Sequence, residues 1–251
     1  SGSKLDQRMA HHKTVNDMPT LHLIPNTLGC RYPHAVLAPS AIQALQSCER
    51  MIVESDRFAR RLLKDAFPEE SPQRKLSFPL NEHTTPEDLV DLIQWFKGDS
   101  DIALVSDAGA PAVADPGAAA VRMAHNAGWN VQPHVGPSSI LLALMASGLN
   151  GQQFAFKGYL PRDRSIRDRL WREMKEGLQR RRETQIFMEP PYRNMQAFSE
   201  CLDRLDLDQQ MCIAVDLTLE TEWIRSQTVE EWKKGQQPDL DKRPCLFLIG
   251  Q

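Results

Sequence analysis

The sequence predicts an α/β fold made of two α/β domains, the first a mainly parallel sheet with flanking helices and the second a mixed sheet. Three observations carry this expectation. Short apolar runs alternate with amphipathic helical stretches from Leu21 onward, capping and stop residues fall between them, and the pattern restarts after Gly151 with more extended segments. At 251 residues the chain can bury one large core or two modest ones, so the pattern and not the length sets the domain count.

The run Leu21-His22-Leu23-Ile24 reads as the first strand, followed by a loop through Pro33 and a helix over 40–47. A strand over 51–53, a helix over 57–64 and a short strand over 76–80 come next. The following helix announces its start at Thr85-Pro86-Glu87-Asp88: threonine can cap, proline fits the first turn, and acids suit the positive end of the helix dipole. It stops at Gly98. A buried strand over 102–105, a helix over 116–126 closed by Gly128, a strand over 130–135 and a helix over 137–147 closed by Gly148 complete the first pattern. The second runs strand 154–159, a highly charged helix 164–178, strand 184–188, helix 192–205, strand 211–215, strand 222–227, short helix 229–234 and strand 245–249. Domains are therefore expected at 18–137 and 152–251, joined by a connecting helix at 137–148. Residues 1–17 are polar and read as a tag or disordered lead-in, so His11 and His12 carry no weight.

A composition of 41% hydrophobic and 25% charged residues is that of an ordinary globular protein and excludes wholesale disorder. The five cysteines are scattered and never spaced as CxxC, which points to reduced thiols in a cytoplasmic protein, with neither a disulfide framework nor a zinc site, and no other metal is implied. The longest apolar run, 140–146, falls far short of the roughly 20 residues that span a bilayer. The net charge of −3 argues against indiscriminate coating of nucleic acid. Yet 157–182 carries ten Lys/Arg against four Asp/Glu, a balance of +6 that leaves −9 for the remainder, so one local basic face is available.

Two loops carry the chemical information. Ser106-Asp107-Ala108-Gly109-Ala110-Pro111-Ala112-Val113-Ala114-Asp115-Pro116-Gly117 follows a strand and precedes a helix, and small residues there let backbone groups approach a ligand that bulky side chains would hold off. A tight turn with Asp115 as a cap is the alternative. No Walker or GxGxxG pattern is present, which disfavours a phosphate ligand. Gly136-Pro137-Ser138-Ser139 again lies between a strand and an apolar helix, where Ser138 either caps the helix or faces a ligand.

SDAGAPAVADPG, GPSSILLALMASGL, FAFKGYLPR and IFMEPPYR, in this order and spacing, resemble the tetrapyrrole methylase (class III methyltransferase) family over nearly the whole chain, from about Leu21 to Gly250. Within that family the pattern is most similar to the members that 2'-O-methylate a cytidine ribose in small-subunit ribosomal RNA. The resemblance implies an S-adenosylmethionine-dependent methyltransferase that binds its donor in a cleft between two α/β domains, as a homodimer, without a metal. By motif, the donor site would be lined by Pro25, Ala108, Gly109, Ala110, Val113, Ser138 and Ser139 from the first domain. Met188, Glu189, Ala214, Val215, Pro244 and Cys245 would complete it from the second. The loop Ile24-Pro25-Asn26-Thr27-Leu28-Gly29 departs from the rRNA enzymes' TPIGN-type turn, Asn81-Glu82-His83 from their HEHNE order, Glu54-Ser55-Asp56-Arg57 from an EDTR-type run, and Ser139 stands where alanine is usual.

A hydroxyl acceptor needs a base for its proton, and Asp107, Glu82, His83 and Glu189 are the candidates near predicted strand ends, although Asp107 has a second reading as a carboxylate bonding loop amides. Arg162, Arg164, Arg167 and Arg193 are the candidates for RNA phosphates of the small ribosomal subunit, against the alternative of a solvated helix face with Arg/Glu pairs. Tyr159 and Trp171 read either as base-stacking or as core aromatics, and Trp95-Phe96 as a buried helix face. Three functions remain open: an RNA ribose methyltransferase, a methyltransferase of a tetrapyrrole or other small molecule, and a non-catalytic donor-binding protein.

Overall fold

Five short strands with apolar cores assemble the first sheet: β1 (Thr20–Ile24), β2 (Arg50–Val53), β3 (Leu76–Pro79), β4 (Ile102–Val105) and β5 (Asn130–Pro133). These come from a computed structural model that describes residues 18–69 and 75–251; the expectation for residues 1–17 lies outside the described residues. All pairings are parallel, in the order β3-β2-β4-β1-β5. β4 lies at the centre, covered on both faces, which is why all four of its residues are apolar and buried. The chain leaves β1 toward β2 on one side and leaves β4 toward β5 on the other. The switch point of the sheet, where α/β folds hold ligands, therefore falls between the adjacent ends of β1 and β4.

The helices of this unit are α2 (Pro39–Ser47), α3 (Asp56–Ala66), α4 (Pro86–Trp95) and α5 (Ala118–Asn126), preceded in the chain by α1 (Pro33–Val36), a single turn not anticipated from periodicity. α4 starts as its cap predicted: Thr85 Oγ1 accepts from the Asp88 amide at 3.2 Å while the Thr85 amide donates to Asp88 Oδ2 at 2.8 Å. α5 begins two residues later than its sequence suggests, because Asp115 holds the Ala112 and Gly117 amides in a turn of its own. Leu21, Ile52, Ile102, Leu92, Phe96 and Trp129 form the core. Phe96 is buried and Trp95 packs beside it, as expected for that pair.

The second sheet is mixed, as predicted: β6 (Phe154–Tyr159) runs parallel to β7 (Thr184–Met188), whereas β10 (Cys245–Gly250), β8 (Gln210–Val215) and β9 (Trp223–Thr228) pair antiparallel, in the order β6-β7-β10-β8-β9. One face packs on α6 (Ser139–Ser147) through Ala143, Leu144, Ala214 and Leu248. The other packs on α7 (Arg164–Arg181), α8 (Asn194–Arg204) and α9 (Val229–Lys234) through Trp171, Met174, Phe198 and Trp232. Phe187 stacks on Phe247 at 5.3 Å between centroids and takes the edge of Trp171 at 5.8 Å.

Two compact units result, one comprising the described chain up to Pro25 with Ala38–Val135, the other Asn26–Leu37 with Gly136–Gln251. The helix expected as a connector thus packs as part of the second unit, and so does the loop after β1. Cys48, Cys201, Cys212 and Cys245 are buried free thiols, and burial pushes Cys48 up to about 11 and Cys212 and Cys245 up to about 12. They stay protonated and unreactive at neutral pH. Among the described residues no helix is long and apolar enough to cross a membrane.

Candidate active site

In the first unit the register sets Ile24, Val105 and Val53 side by side, so the residues that follow each strand share one edge. After β4 the chain turns sharply three times: Gly109 (φ 67°), Ala112 (φ 64°) and Ala114 (φ 60°) all adopt the left-handed conformation. Glycine takes it freely, and alanine is the smallest residue that bears its steric cost. Ser106 Oγ lies 3.2 and 3.1 Å from the carbonyl oxygens of Ala108 and Gly109 and folds the loop back on the strand. Ala108 and Val113 are exposed, Ala110 is half-buried, and Gly109 and Pro25 are enclosed. The outcome is a stretch of accessible backbone with almost no side chain over it, a surface suited to close approach by a flat, polar ligand such as an adenosyl group.

Asp107 acts as a latch in this edge. Its Oδ1 accepts from the Ser55 amide at 3.0 Å and the Ser55 hydroxyl at 2.8 Å, and its own amide donates to Glu54 Oε2 at 3.0 Å. Glu82 and His83 lie 3.6 Å apart with both side chains almost fully in solvent, so no packing holds either in a reacting geometry. Glu54 was not among the sequence candidates. It is the first residue past β2, and with Ser106, Asp115, Leu80 and Leu104 it lines a narrow cleft. Burial holds its carboxyl above the ordinary carboxylate range, the charges of Asp107, Asp115 and Glu82 adding to this while the Asp107 amide opposes it. An acid directly after an apolar strand was the signal that could have found it.

In the second unit β10 aligns Leu246 with both Met188 and Ala214, and Cys245 with Val215, so the expected donor residues of three strands gather at one sheet end. Their accessibility differs. Met188 is half-buried and Pro244 exposed, but Ala214 and Val215 are fully enclosed and Cys245 nearly so. Ladder bonds to strands on both sides and core packing leave Ala214 and Val215 no surface for a ligand, a correction to the expectation that they line the site. Ser138 and Ser139 open α6 half-buried, and Ser138 makes no side-chain capping bond, so the capping reading does not hold.

Glu189, directly after β7, is buried in an ionic network. Its Oε1 accepts from Arg167 Nη1 at 2.6 Å and lies 3.5 Å from Arg193 Nη2, while its Oε2 is enclosed without a partner. Arg167 also donates from Nε to Glu200 Oε2 at 2.7 Å, more closely from Nη2 to the same oxygen, and from Nη1 to the Pro161 carbonyl at 3.2 Å. Burial works against the charge of this guanidinium and the two glutamates more than offset it. Glu200 Oε1 accepts from Trp171 Nε1 and Arg204 Nε, both at 2.8 Å.

Two expectations change here. Arg167 does not belong to the basic surface, because its donors are already consumed by two buried carboxylates and a carbonyl. Trp171 is a core residue and stacks on no base. Arg162 and Arg164 are exposed, and Arg193 is half-buried beside Glu189. Farther along α7, Arg169 with Glu173 and Arg180 with Glu176 form the exposed Arg/Glu pairs of the alternative reading.

The family described as Tetrapyrrole (Corrin/Porphyrin) Methylases matches residues 34–233. A "Ribosomal RNA small subunit methyltransferase I" of Vibrio cholerae serotype O1 is 32% identical over 225 residues, covering 89% of this chain and 74% of that protein. The protein of the same name from Bacillus subtilis (strain 168) is 32% identical, covering 94% and 76% respectively. Among solved structures, diphthine synthase superposes with a TM-score of 0.62 over 92% of this chain and 89% of that one, at 15% identity. The methyltransferase CobJ does so with 0.61 over 93% and 94%, also at 15% identity.

Proposed function

The chain belongs to the tetrapyrrole (corrin/porphyrin) methylase family of S-adenosylmethionine-dependent methyltransferases, and from that premise we propose that its acceptor is RNA of the small ribosomal subunit, methylated on a ribose 2'-hydroxyl. The observation that carries this reading is the 32% identity, over 89% of the chain, to a relative named for that RNA. The exposed Arg162 and Arg164 support it, since phosphate contacts supply much of the affinity of any RNA-binding surface. The reading also implies a cytoplasmic homodimer that works without a metal.

The residues present fit the donor: bare backbone at Ala108 and Ala110 lies at the switch point of the first sheet, and accessible Met188 and Pro244 lie at the gathered strand ends of the second. These would hold it, with Pro25, Gly109, Val113, Ser138 and Ser139 beside them and Ala214, Val215 and Cys245 as support from behind. When bound, S-adenosylmethionine supplies an activated methyl group. The protein's task is then to orient the acceptor oxygen and to receive its proton. Glu54 suits that second task best among the carboxylates at this edge, because its raised proton affinity lets it take a proton that a fully solvated carboxylate would refuse. Asp107 positions Glu54 through its amide. Glu189 remains less suited to move a proton, being held between Arg167 and Arg193.

The test is methylation of isolated small ribosomal subunits with labelled donor, followed by mapping of the modified nucleotide. Label in a 2'-O position of the small-subunit RNA is the expected result. Reversing charge at Arg162 and Arg164 together should weaken subunit binding and flatten its salt dependence while donor affinity stays as in the parent. Label found only in a small molecule would move the acceptor to that class.

A further inference from the structure

Two tyrosines stand in solvent at adjoining strand ends of the second unit, where aromatic side chains are normally covered. Tyr159 ends β6 at 59% exposure, and Tyr192 lies in the single turn Pro191–Arg193 after β7 at 62% exposure. The parallel register pairs Tyr159 with Met188, so the loops that leave β6 and β7 start next to each other. The pairing shifts between Phe156 and Tyr159, and Gly158 sits within that irregularity at φ 68° with open space where a Cβ would be. Such a bulge re-aims the residue that follows it.

Arg162 Nη2 donates to Tyr192 Oη at 3.0 Å across the two loops. Both loops are also fixed from below: the buried guanidinium of Arg167 binds the Pro161 carbonyl of one and Glu189 of the other. The charge around them is positive. Lys157, Arg162 and Arg164 surround one acid, Asp163, whose carboxylate is occupied in capping α7 through the Ile166 amide at 3.0 Å.

Resting on the reading that the acceptor is RNA, we propose that Tyr159, Arg162 and Tyr192 form a stacking platform for unpaired nucleobases next to the nucleotide to be methylated. Exposed ring faces among cations suit single-stranded RNA, whose unstacked bases are open to aromatic and guanidinium planes, whereas a duplex hides its base faces. The buried Arg167 network serves this surface as its positioning frame, since rigid loops lose little freedom on binding.

The experiment measures fluorescence anisotropy of a short, labelled, unstructured oligoribonucleotide and of its duplex, together with methylation of small ribosomal subunits. Tyr159→Ala and Tyr192→Ala should each weaken single-strand binding by about tenfold. Tyr159→Phe and Tyr192→Phe, which keep the ring, should bind within about twofold of the parent, with the salt slope unchanged in all four. Alanine variants that bind as the parent does, a parent that binds duplex as well as single strand or binds neither, or loss of self-association in place of RNA binding would each overturn the platform. If the subunits are methylated normally by both alanine variants, only the platform falls. If the subunits are not methylated even by the parent, the RNA reading falls with it.

Discussion

Arg167→Met removes the guanidinium on which the loops after β6 and β7 both depend. The arginine, Glu189 and Glu200 side chains are 8%, 0% and 16% exposed, so all three charges sit largely out of water. Breaking such a pair from one side costs about 3–5 kcal/mol, because a buried charge is left uncompensated. Glu200 keeps Trp171 and Arg204 as partners, both at 2.8 Å, whereas Glu189 keeps only Arg193 at 3.5 Å, so most of the loss falls on Glu189. Methionine also fills much of the vacated volume, which sets the expected loss near the lower end, about 3 kcal/mol. Against a typical stability of about 5–15 kcal/mol the variant still folds. Urea-dependent hydrogen exchange of β7 and β10 amides reads this unit alone, which matters in a chain of two units where one global midpoint is ill-defined. Adding Glu189→Gln removes the stranded charge and should recover about 1–2 kcal/mol of the loss, a non-additivity expected of direct partners. A loss below about 1 kcal/mol in the single variant, or simple additivity in the double, would refute the account of a coupled buried network.

Gly109→Val should leave the protein folded and abolish donor binding in calorimetry, since a β-branched residue at φ 67° reshapes the backbone on which the donor would rest; normal binding would make this loop purely structural. Glu54→Gln has two expected effects. The folded carboxyl is raised, so stability falls as pH climbs from the ordinary carboxylate value through the folded one, and the full penalty is present at neutral pH; the variant should therefore melt higher than the parent at pH 7 and no higher near pH 4. Its methyl transfer should also fall by about a hundredfold or more with donor affinity kept, and an unchanged rate would remove Glu54 from the chemistry. His134, bonded to His22 at 3.0 Å, is held below the ordinary histidine value by burial and then by the charge of His22. The unfolded chain thus binds the extra proton first, so this contribution is complete above about pH 6.5 and is lost as pH falls below it. The melting point should drop between pH 7 and pH 5.5 by less in His134→Gln than in the parent, and equal drops would assign the acid loss elsewhere.

Much of the fold was legible in local pattern. The uniformly apolar run at 102–105 could only be a central parallel strand, Thr85 to Asp88 wrote a capping box that the structure repeats atom for atom, and Gly128 and Gly148 stop their helices at φ 74° and 70°. Periodicity and caps act within a few residues, so a chain read in short windows reveals them. The small-residue loop after β4 was legible for the same reason, because its backbone demands are met by its own glycine and alanines. What only tertiary structure decided was the standing of individual charged and enclosed side chains. Arg164 and Arg167 are three residues apart on one charged helix and indistinguishable by composition, yet one is in solvent and the other is buried, because its partners Glu189 and Glu200 lie 22 and 33 residues away. Ala214 and Val215 became support because strands from either side close over them, and Glu54 gained its proton affinity from Asp107, Asp115 and Glu82, carboxylates on other loops. Burial and charge are properties of the assembled surroundings, and those surroundings are written across the whole chain rather than beside the residue they govern.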